Sequence, residues 1–489
     1  MAKKKKKSAV DDEISADDLG IPQPEPTKKP VESKKLEKPK ESPKKKTEKK
    51  TSSKRTKSTA KKSTKSKKDS FIQSTCNVGL VGHVDHGKTT LVKALSGTWT
   101  ERYADEVNRG ITIKLGYAEA AIYECPSCNK VFTTSIVKSL RKSKKAAKDV
   151  CPYCGEKLQF KRRISFVDAP GHEILMATML SGASLMDGAI LLVAANEPVG
   201  MPQTKEHLAA LTIAKIENLI IVQNKVDSVS KEQALEHYQN LRKFLQKYPI
   251  AKNAPIIPVS SIFGANIDKV VEAIEKIIPS PELDADTEEF MFNVARSFDV
   301  NKPGTEIEQL QGGVIGGSII SGTVSIGDQV EIRPGLKNLE TGKYHPVITT
   351  IKSIYEGSHS LQSASSGGLI ALGTELDPSN TRTDQLIGNV LGTPETLPDV
   401  KSQVLIESHL LDKVLGAEKE LDVTPLKNGE VLMIVTGTSL SVGSVIKIGK
   451  KNTITLKLKR PICALEGSIV ALSRQIKNRF RLIGYGYLL

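Results

Sequence analysis

Residues 77–95 read NVGLVGHVDHGKTTLVKAL, and this stretch predicts the local structure of the chain around it. A short apolar run breaks at Gly82, and a helical pattern begins after Thr89. The segment between these two residues matches GxxxxGK[ST], a phosphate-binding loop, in the strand–loop–helix setting that the motif requires. Its glycines let backbone N–H groups face phosphate oxygens, and the N-terminus of the helix adds partial positive charge. Lys88 is expected to reach the β- and γ-phosphates, and Thr89 to offer its hydroxyl to magnesium. The positions of this loop predicted to contact the nucleotide are Asp85, His86, Gly87, Lys88, Thr89 and Thr90.

A later tetrad, NKVD, indicates which base is bound. Asn224, Lys225 and Asp227 follow an apolar run, as expected for a loop at the carboxyl end of a strand. The carboxylate of Asp227 can accept hydrogen bonds from N1–H and the exocyclic amine of guanine together, a pairing that adenine does not offer. These residue types also favour ordinary turns, but their position after a phosphate loop favours a guanine site. A further strand ends in three residues expected to close over the base: Ser260, Ser261 and Ile262.

The stretch ISFVDAPGHE, residues 164–173, supplies the γ-phosphate end of the predicted site. Asp168 ends a strand and is predicted to hold magnesium through a water, and the N–H of Gly171 to meet the γ-phosphate. His172 is the candidate for orienting the attacking water, although a lone histidine is often structural. Upstream, Thr112 is predicted to complete the magnesium shell when the γ-phosphate is present, which would make an order–disorder switch.

Four of the six cysteines form two CxxC pairs separated by 22 residues: Cys125, Cys128, Cys151 and Cys154. Four thiolates suffice for a closed tetrahedral zinc site, which has no open position for a catalytic water. Unpaired reduced thiols are the alternative interpretation. The insert that carries them, about 121–160, lies between the strand after Thr112 and the strand ending at Asp168. We therefore predict a short excursion held by structural zinc.

Positive charge is concentrated in the first part of the chain. Residues 1–70 carry 24 Lys and Arg against 11 Asp and Glu, which leaves 47 against 44 for the remainder. Because this tail has almost no apolar residues to bury, it is predicted to be disordered. A solvated spacer, an electrostatic contact with RNA or the ribosome, and a nuclear-localisation signal all stay open as roles for it.

Composition argues against membrane and secreted classes. No stretch approaches the roughly 18 apolar residues of a membrane span, and the N-terminus lacks the apolar core of a signal peptide. Six cysteines in 489 residues do not make a disulfide framework. We therefore expect a cytoplasmic protein with reduced thiols and no membrane partner.

The alternation of apolar runs with helical patterns over 71–283 predicts an α/β P-loop domain, with a mostly parallel sheet and helices on both faces. From 284 onward, glycines recur among β-branched residues, which is typical of short strands. Ile454, Leu456 and Leu458, for example, alternate with polar residues as in a half-buried strand. Two small β-barrels are predicted, at 284–398 and 399–489.

With these motifs in place, the sequence resembles the translational GTPases and, within them, the gamma subunit of archaeal and eukaryotic translation initiation factor 2. GHVDHGKTT, RGITIKLGYA and VQNKVD look like the GTP-binding domain of that family. RSFDVNKPGTEIEQLQGGVIGGSI, at 296–319, looks like the opening of its second domain and is far more specific. ALSRQIKNRFRLIGYG, at 471–486, looks like its closing strands, so the likeness covers about 72–489.

The resemblance implies GTP-dependent delivery of methionyl initiator tRNA to the small ribosomal subunit, in a heterotrimer with alpha and beta subunits. The positions that match the family's magnesium contacts are Thr89 and Thr112, with Asp85 and Gly110 as further candidates. Val84 and Ile111 match the apolar gate that flanks the catalytic histidine in elongation factor Tu-like enzymes. Ser261 stands where the family's guanine-closing motif usually has alanine, and a hydroxyl fits there.

Two other functions stay open at this point. An elongation factor, including the selenocysteine-specific carrier, shares the P-loop, although the cysteine-bearing insert and a chain that ends soon after the third domain argue against the selenocysteine carrier. An assembly scaffold that senses nucleotide, with incidental hydrolysis, belongs to another class. Preference for initiator methionyl-tRNA only with GTP would support the initiation factor, and no tRNA binding in either nucleotide state would support the scaffold.

Overall fold

The computed structural model describes residues 71–100, 112, 114–140, 149–172, 175–281, 289–415, 421–477 and 479–489 of the chain. The lysine-rich tail, Gly110 and Ile111 lie outside the described residues, so the predictions made for them stay predictions. Phe71–Leu489 form one compact unit.

A seven-stranded mixed sheet forms the first part of this unit. Its strands are β1 (Asn77–Gly82), β2 (Gly116–Glu124), β3 (Val131–Thr133), β4 (Gln159–Asp168), β5 (Gly188–Ala194), β6 (Leu219–Asn224) and β7 (Ile256–Pro258). They lie in the order β3-β2-β4-β1-β5-β6-β7. Five strands that are neighbours in the sheet run parallel: β4, β1, β5, β6 and β7. β2 and β3 add an antiparallel edge. The mostly parallel sheet predicted from sequence is confirmed.

Helices cover both faces of this sheet. They are α1 (Lys88–Ser96), α2 (Thr134–Leu140), α3 (Met176–Ala183), α4 (Pro202–Ile213), α5 (Lys231–Leu245) and α6 (Ile267–Ile277). Neighbouring residues of β1 point to opposite faces: Leu80 packs with α1 and α6, and Val81 packs with α3, α4 and α5. Both side chains are fully buried. A strand covered on both faces reads as a continuous apolar run, which is the signal seen at 78–81.

The cysteine-bearing insert leaves the sheet between β2 and β4, which pair antiparallel from Gly116↔Asp168 to Glu124↔Gln159. Within the insert, Phe132, Ile136 and Val137 are buried in the same apolar cluster as α1 and α6. The insert thus shares the core of the sheet and does not build a separate one.

The first barrel follows the sheet. Its strands are β8 (Met291–Phe298), β9 (Val314–Ser321), β10 (Thr323–Ser325), β11 (Gln329–Lys337), β12 (Tyr344–Glu356), β13 (His359–Leu361), β14 (Ser363–Ser365), β15 (Ile370–Thr374) and β16 (Val390–Gly392). Six of these strands close a ring in the order β11-β16-β8-β9-β15-β12, because β12 also pairs with β11. β13 extends β12, and β10 pairs with β14 beside the ring.

The second barrel ends the chain. Its strands are β17 (Val400–Leu410), β18 (Val431–Thr436), β19 (Ser439–Ile448), β20 (Thr453–Cys463), β21 (Ile469–Ile476) and β22 (Arg479–Leu488). They close in the order β17-β20-β19-β18-β21-β22. Two barrels after an α/β domain confirm the predicted fold class. Among the described residues, no helix is both long enough and apolar enough to cross a membrane.

Candidate nucleotide site and cysteine cluster

A cleft opens at the carboxyl ends of β1, β4 and β6, the edge of a parallel sheet where ligands bind in such folds. Its lining residues come from five separate segments: Val84, Asp85, Gly87, Lys88, Thr89, Thr90, Thr112, Gly171, His172, Asn224, Lys225, Asp227, Ser261 and Ile262. The structure therefore brings together most of the residues predicted to bind the nucleotide. Their individual roles stay predictions.

The phosphate loop presents a buried ammonium group to this cleft. Lys88 is 6% exposed and donates hydrogen bonds to the carbonyl oxygens of Gly82 and His83, each at 2.9 Å. Burial lowers the pKa of Lys88 to about 8, although the carboxylates of Asp168 and Asp85 oppose this shift. A desolvated cation at the N-terminus of a helix suits a polyphosphate.

Gly87 has to be glycine for two reasons. It caps α1 with φ 91°, in the left-handed region that favours glycine. A Cβ atom at this position would also lie 2.4 Å from Nδ2 of Asn224. The loop therefore passes against the guanine motif without space for a side chain.

Three oxygen-bearing side chains converge beside Lys88. The hydroxyl of Thr89 donates to Oδ2 of Asp168 at 2.8 Å and lies 3.2 Å from the hydroxyl of Thr112. Hydroxyl and carboxylate oxygens are the ligands that magnesium prefers, so these residues fit the ion predicted from sequence. Thr100 also donates to Oδ2 of Asp168, at 2.6 Å. Sequence reasoning missed Thr100, because no motif marks it.

Gly171 and His172 line the end of the cleft that is predicted to hold the γ-phosphate. A Cβ on Gly171 would lie 2.5 Å from Nζ of Lys88 and 2.7 Å from the carbonyl oxygen of Gly82. The loop therefore lies directly on the phosphate loop. His172 is half-buried and lines the cleft together with Val84.

At the opposite end, Asn224 holds two loops together. Its Nδ2 donates to the backbone oxygen of His86 at 2.8 Å, and its Oδ1 accepts from the N–H and the hydroxyl of Ser261 at 3.1 and 2.9 Å. Asp227 lies in a 3₁₀ turn, Val226–Ser228, and lines the cleft. Asn224 thus joins the phosphate loop to the loop expected to close over the base.

Two of the residues predicted to contact the nucleotide, His86 and Ser260, are not among those that line the cleft. The ring of His86 is fully buried, 2.8 Å from the carbonyl oxygen of Leu192 and 3.1 Å from the carboxylate of Glu197, so it is held away from the cleft. Its backbone carbonyl oxygen accepts a hydrogen bond from Asn224, a residue that does line the cleft. Ser260 is buried beneath the cleft, where its hydroxyl accepts from the N–H of Phe263 at 3.3 Å. Both residues support the loops rather than line the cleft.

The four cysteine thiols converge as predicted, with all sulfur atoms within 4.8 Å of one another. Two of the separations are 3.3 Å, between Cys125 and Cys154, and 3.7 Å, between Cys128 and Cys151. A disulfide would need about 2.05 Å, whereas four thiolates around one zinc lie about 3.8 Å apart. The cluster therefore fits a tetrahedral metal ion.

The backbone around the cysteines forms two equivalent turns. The N–H of Cys125 donates to the carbonyl oxygen of Lys130, and the N–H of Asn129 donates to the carbonyl oxygen of Cys125. In the second turn, the N–H of Cys151 donates to the carbonyl oxygen of Glu156, and the N–H of Gly155 donates to the carbonyl oxygen of Cys151, in the same pattern. Asn129 and Gly155 both have positive φ, 52° and 78°. This repeated geometry is what a pair of metal-binding knuckles needs.

Comparison with known proteins decides the family. The model of the elongation factor Tu GTP binding domain matches residues 73–280, and that of initiation factor eIF2 gamma, C terminal, matches residues 402–488. The translation initiation factor 2 subunit gamma of Thermococcus onnurineus is 51% identical over 425 residues, which is 86% of this chain and 99% of that protein. The subunit of the same name from Methanocaldococcus jannaschii is 51% identical over 423 residues, covering 86% of this chain and 99% of its own. The chain belongs to this gamma-subunit family. It is therefore a GTPase of translation initiation.

Solved structures with the same fold are more distant in sequence. A bacterial selenocysteine-specific elongation factor, EF-Sec, matches with a TM-score of 0.63 at 25% identity, over 85% of this chain and 58% of its own. Elongation factor SelB from Methanococcus maripaludis, in complex with the GTP analogue GPPNHP, matches at 0.60 and 20% identity, over 85% and 79%. About half of the aligned residues are identical to those of the initiation factor subunits, against a quarter or fewer for these elongation factors. The elongation factors therefore share the fold, whereas the sequence places the chain in the initiation factor family.

Proposed function

We propose that the GTP-bound protein binds methionyl initiator tRNA and delivers it to the small ribosomal subunit, within a heterotrimer with alpha and beta subunits. We assign the GTP-binding domain to 71–283 and the barrels to 284–398 and 399–489. Family membership supports this proposal, and one contact supplies a way for the nucleotide to control the barrels.

That contact joins the γ-phosphate side of the cleft to the first barrel. Lys114 lies two residues after Thr112, and its ammonium group donates to Oδ2 of Asp384 at 2.5 Å. Oδ1 of the same carboxylate accepts from Nε of Arg296, at 2.9 Å, within the barrel. Asp384 belongs to the barrel and pairs with Lys114, which is close in sequence to Thr112. A change in the conformation of the chain near Thr112 would therefore be transmitted to the barrel through this ion pair.

For hydrolysis, we assign His172 to orienting the attacking water. Lys88 and the N–H of Gly171 would hold the γ-phosphate between them. Magnesium would be held by Thr89 and Thr112, and by Asp168 through a water, with Asp85 and Gly110 as further candidates. When bound, the ion supplies positive charge to the β- and γ-phosphate oxygens. Val84 and Ile111 would form the apolar gate beside the histidine.

The tRNA proposal is tested by titrating aminoacylated tRNAs against the heterotrimer. We expect methionyl initiator tRNA to bind at least tenfold more tightly with GTP than with GDP, because only GTP offers a γ-phosphate to Thr112 and Gly171. Elongator methionyl-tRNA, with the same amino acid, is the matched control. Equal affinity for both tRNAs would favour an elongation-type carrier, and no binding in either nucleotide state would favour the scaffold.

For the cysteine cluster, we propose structural zinc. All four ligand positions are thiolates, so no position is open for water. The cluster instead closes the excursion between β2 and β4, on the side of the sheet where β3 forms the edge.

Cys125→Ser is expected to remove most of the bound zinc and to lower the thermal midpoint of unfolding, while GTP affinity stays within about threefold of wild type. Metal content by mass spectrometry, calorimetry and nucleotide titration measure these three effects. Cys463→Ser is the control, because Cys463 is a buried thiol in the second barrel outside the cluster. Unchanged zinc content would contradict the site, and complete loss of GTP binding would show that the insert is not independent of the cleft.

A further inference from the structure

A buried histidine outside the cleft contacts the phosphate loop from behind. His207 lies on α4 and is 2% exposed. Its Nδ1 accepts the backbone N–H of Gly82 at 2.7 Å. Because Nδ1 is an acceptor, the ring proton lies on Nε2. Burial lowers the pKa of His207 to about 3, so the ring stays neutral and keeps this acceptor at any pH near neutrality.

Gly82 is also one of the two residues that anchor Lys88, the other being His83. The carbonyl oxygen of Gly82 accepts from the Lys88 ammonium group at 2.9 Å, so the same residue is held by His207 through its N–H and holds Lys88 through its C=O. It has φ 144°, and a Cβ there would lie 2.5 Å from the carbonyl oxygen of Leu192. A side chain at position 82 would therefore collide with the backbone of β5.

The turn of α4 that carries His207 also contacts the second barrel. Glu206 is 1% exposed, and its Oε1 accepts from Nη1 of Arg481, in β22, at 3.4 Å. Burial raises the pKa of Glu206 to about 7, and the guanidinium group of Arg481 opposes this shift. His207 thus contacts the phosphate loop, and the adjacent Glu206 contacts the second barrel. The two contacts hold this turn of α4, and with it the imidazole, in place.

We propose that His207 is a positioning residue for the nucleotide. It holds the peptide of Gly82 so that the Lys88 ammonium group faces the phosphates. Loss of the acceptor leaves a buried N–H without a partner and lets Gly82 and Lys88 move together. Lys88 is expected to contact the β-phosphate, which GTP and GDP share, so we expect the effect to fall on both nucleotides.

Three substitutions of His207 separate this role from simple packing. In His207→Asn, the amide oxygen can take nearly the position of Nδ1 and accept from Gly82. In His207→Gln, the amide reaches toward the position of Nε2, and the Gly82 N–H is left without an acceptor. His207→Leu keeps apolar bulk and removes the acceptor altogether.

The test measures GTP and GDP affinity of the full chain by titration with fluorescent nucleotide analogues, beside the thermal midpoint of each variant without nucleotide. We expect His207→Leu and His207→Gln to weaken both nucleotides at least fivefold, and His207→Asn to stay within twofold of wild type. The Asn and Gln variants carry the same functional group, so their difference reports the position of the acceptor even if the Leu variant folds poorly. Equal affinity of the Asn and Gln variants, whether normal or reduced, would overturn the proposal. None of these outcomes depends on tRNA binding.

Discussion

His172→Ala is expected to leave GTP affinity within about twofold of wild type and to slow GTP hydrolysis by well over tenfold. His172 follows Gly171 directly and lines the cleft beside Val84. The alanine variant retains Lys88, Thr89 and the guanine motif, so binding persists. A positioned side chain that orients or polarises the attacking group contributes typically about 10²–10⁴-fold to a rate.

Single-turnover hydrolysis of radiolabelled GTP, with enzyme in excess, separates this effect from nucleotide release. His409→Ala is the control, since His409 lies on β17 in the second barrel and outside the cleft. A His172→Ala variant that hydrolyses GTP at the wild-type rate would remove the histidine from the mechanism. A variant that loses GTP binding would assign it a role in holding the nucleotide.

Much of the fold could be predicted because burial leaves a periodic trace in the sequence. Ile454 and Leu456 are buried while Lys457 is exposed, as the alternation along β20 predicts. The mostly parallel sheet was likewise predicted from the alternation of apolar runs with helical patterns. Such patterns report which face of an element is covered, and spacing within a motif reports residues that meet one ligand.

The remaining contacts carry no such trace. Thr100 reaches Asp168, Lys114 reaches Asp384, and His207 reaches Gly82, each across a separation in sequence that no periodicity encodes. The buried ring of His86 shows a second limit of sequence motifs. It stands inside the phosphate-loop motif, yet its side chain packs behind the loop. A motif fixes the backbone near a ligand, whereas the direction of each side chain depends on neighbours that only the fold supplies.

Asp227→Asn is expected to weaken GTP binding by at least about 100-fold and to create measurable affinity for xanthosine triphosphate. Asp227 lines the cleft, and its carboxylate is predicted to accept from N1–H and the exocyclic amine of guanine. An amide retains one acceptor but turns an N–H donor toward the amine, so one hydrogen bond is lost and two donors face each other. Charge-assisted hydrogen bonds contribute about 1.5–3 kcal/mol each, which accounts for a loss of this size.

Xanthine carries a carbonyl oxygen where guanine carries the amine, so the amide of the variant can donate to that oxygen and accept from N1–H. Competition between the two triphosphates for the wild-type and Asp227→Asn proteins measures the exchange of specificity directly. Asp268→Asn, at the start of α6 and outside the cleft, is the control. Because only a base contact reverses preference between two nucleotides with identical phosphates, a loss of GTP binding without a gain for xanthosine triphosphate would point to a disrupted loop. Unchanged GTP affinity would show that the guanine assignment is wrong.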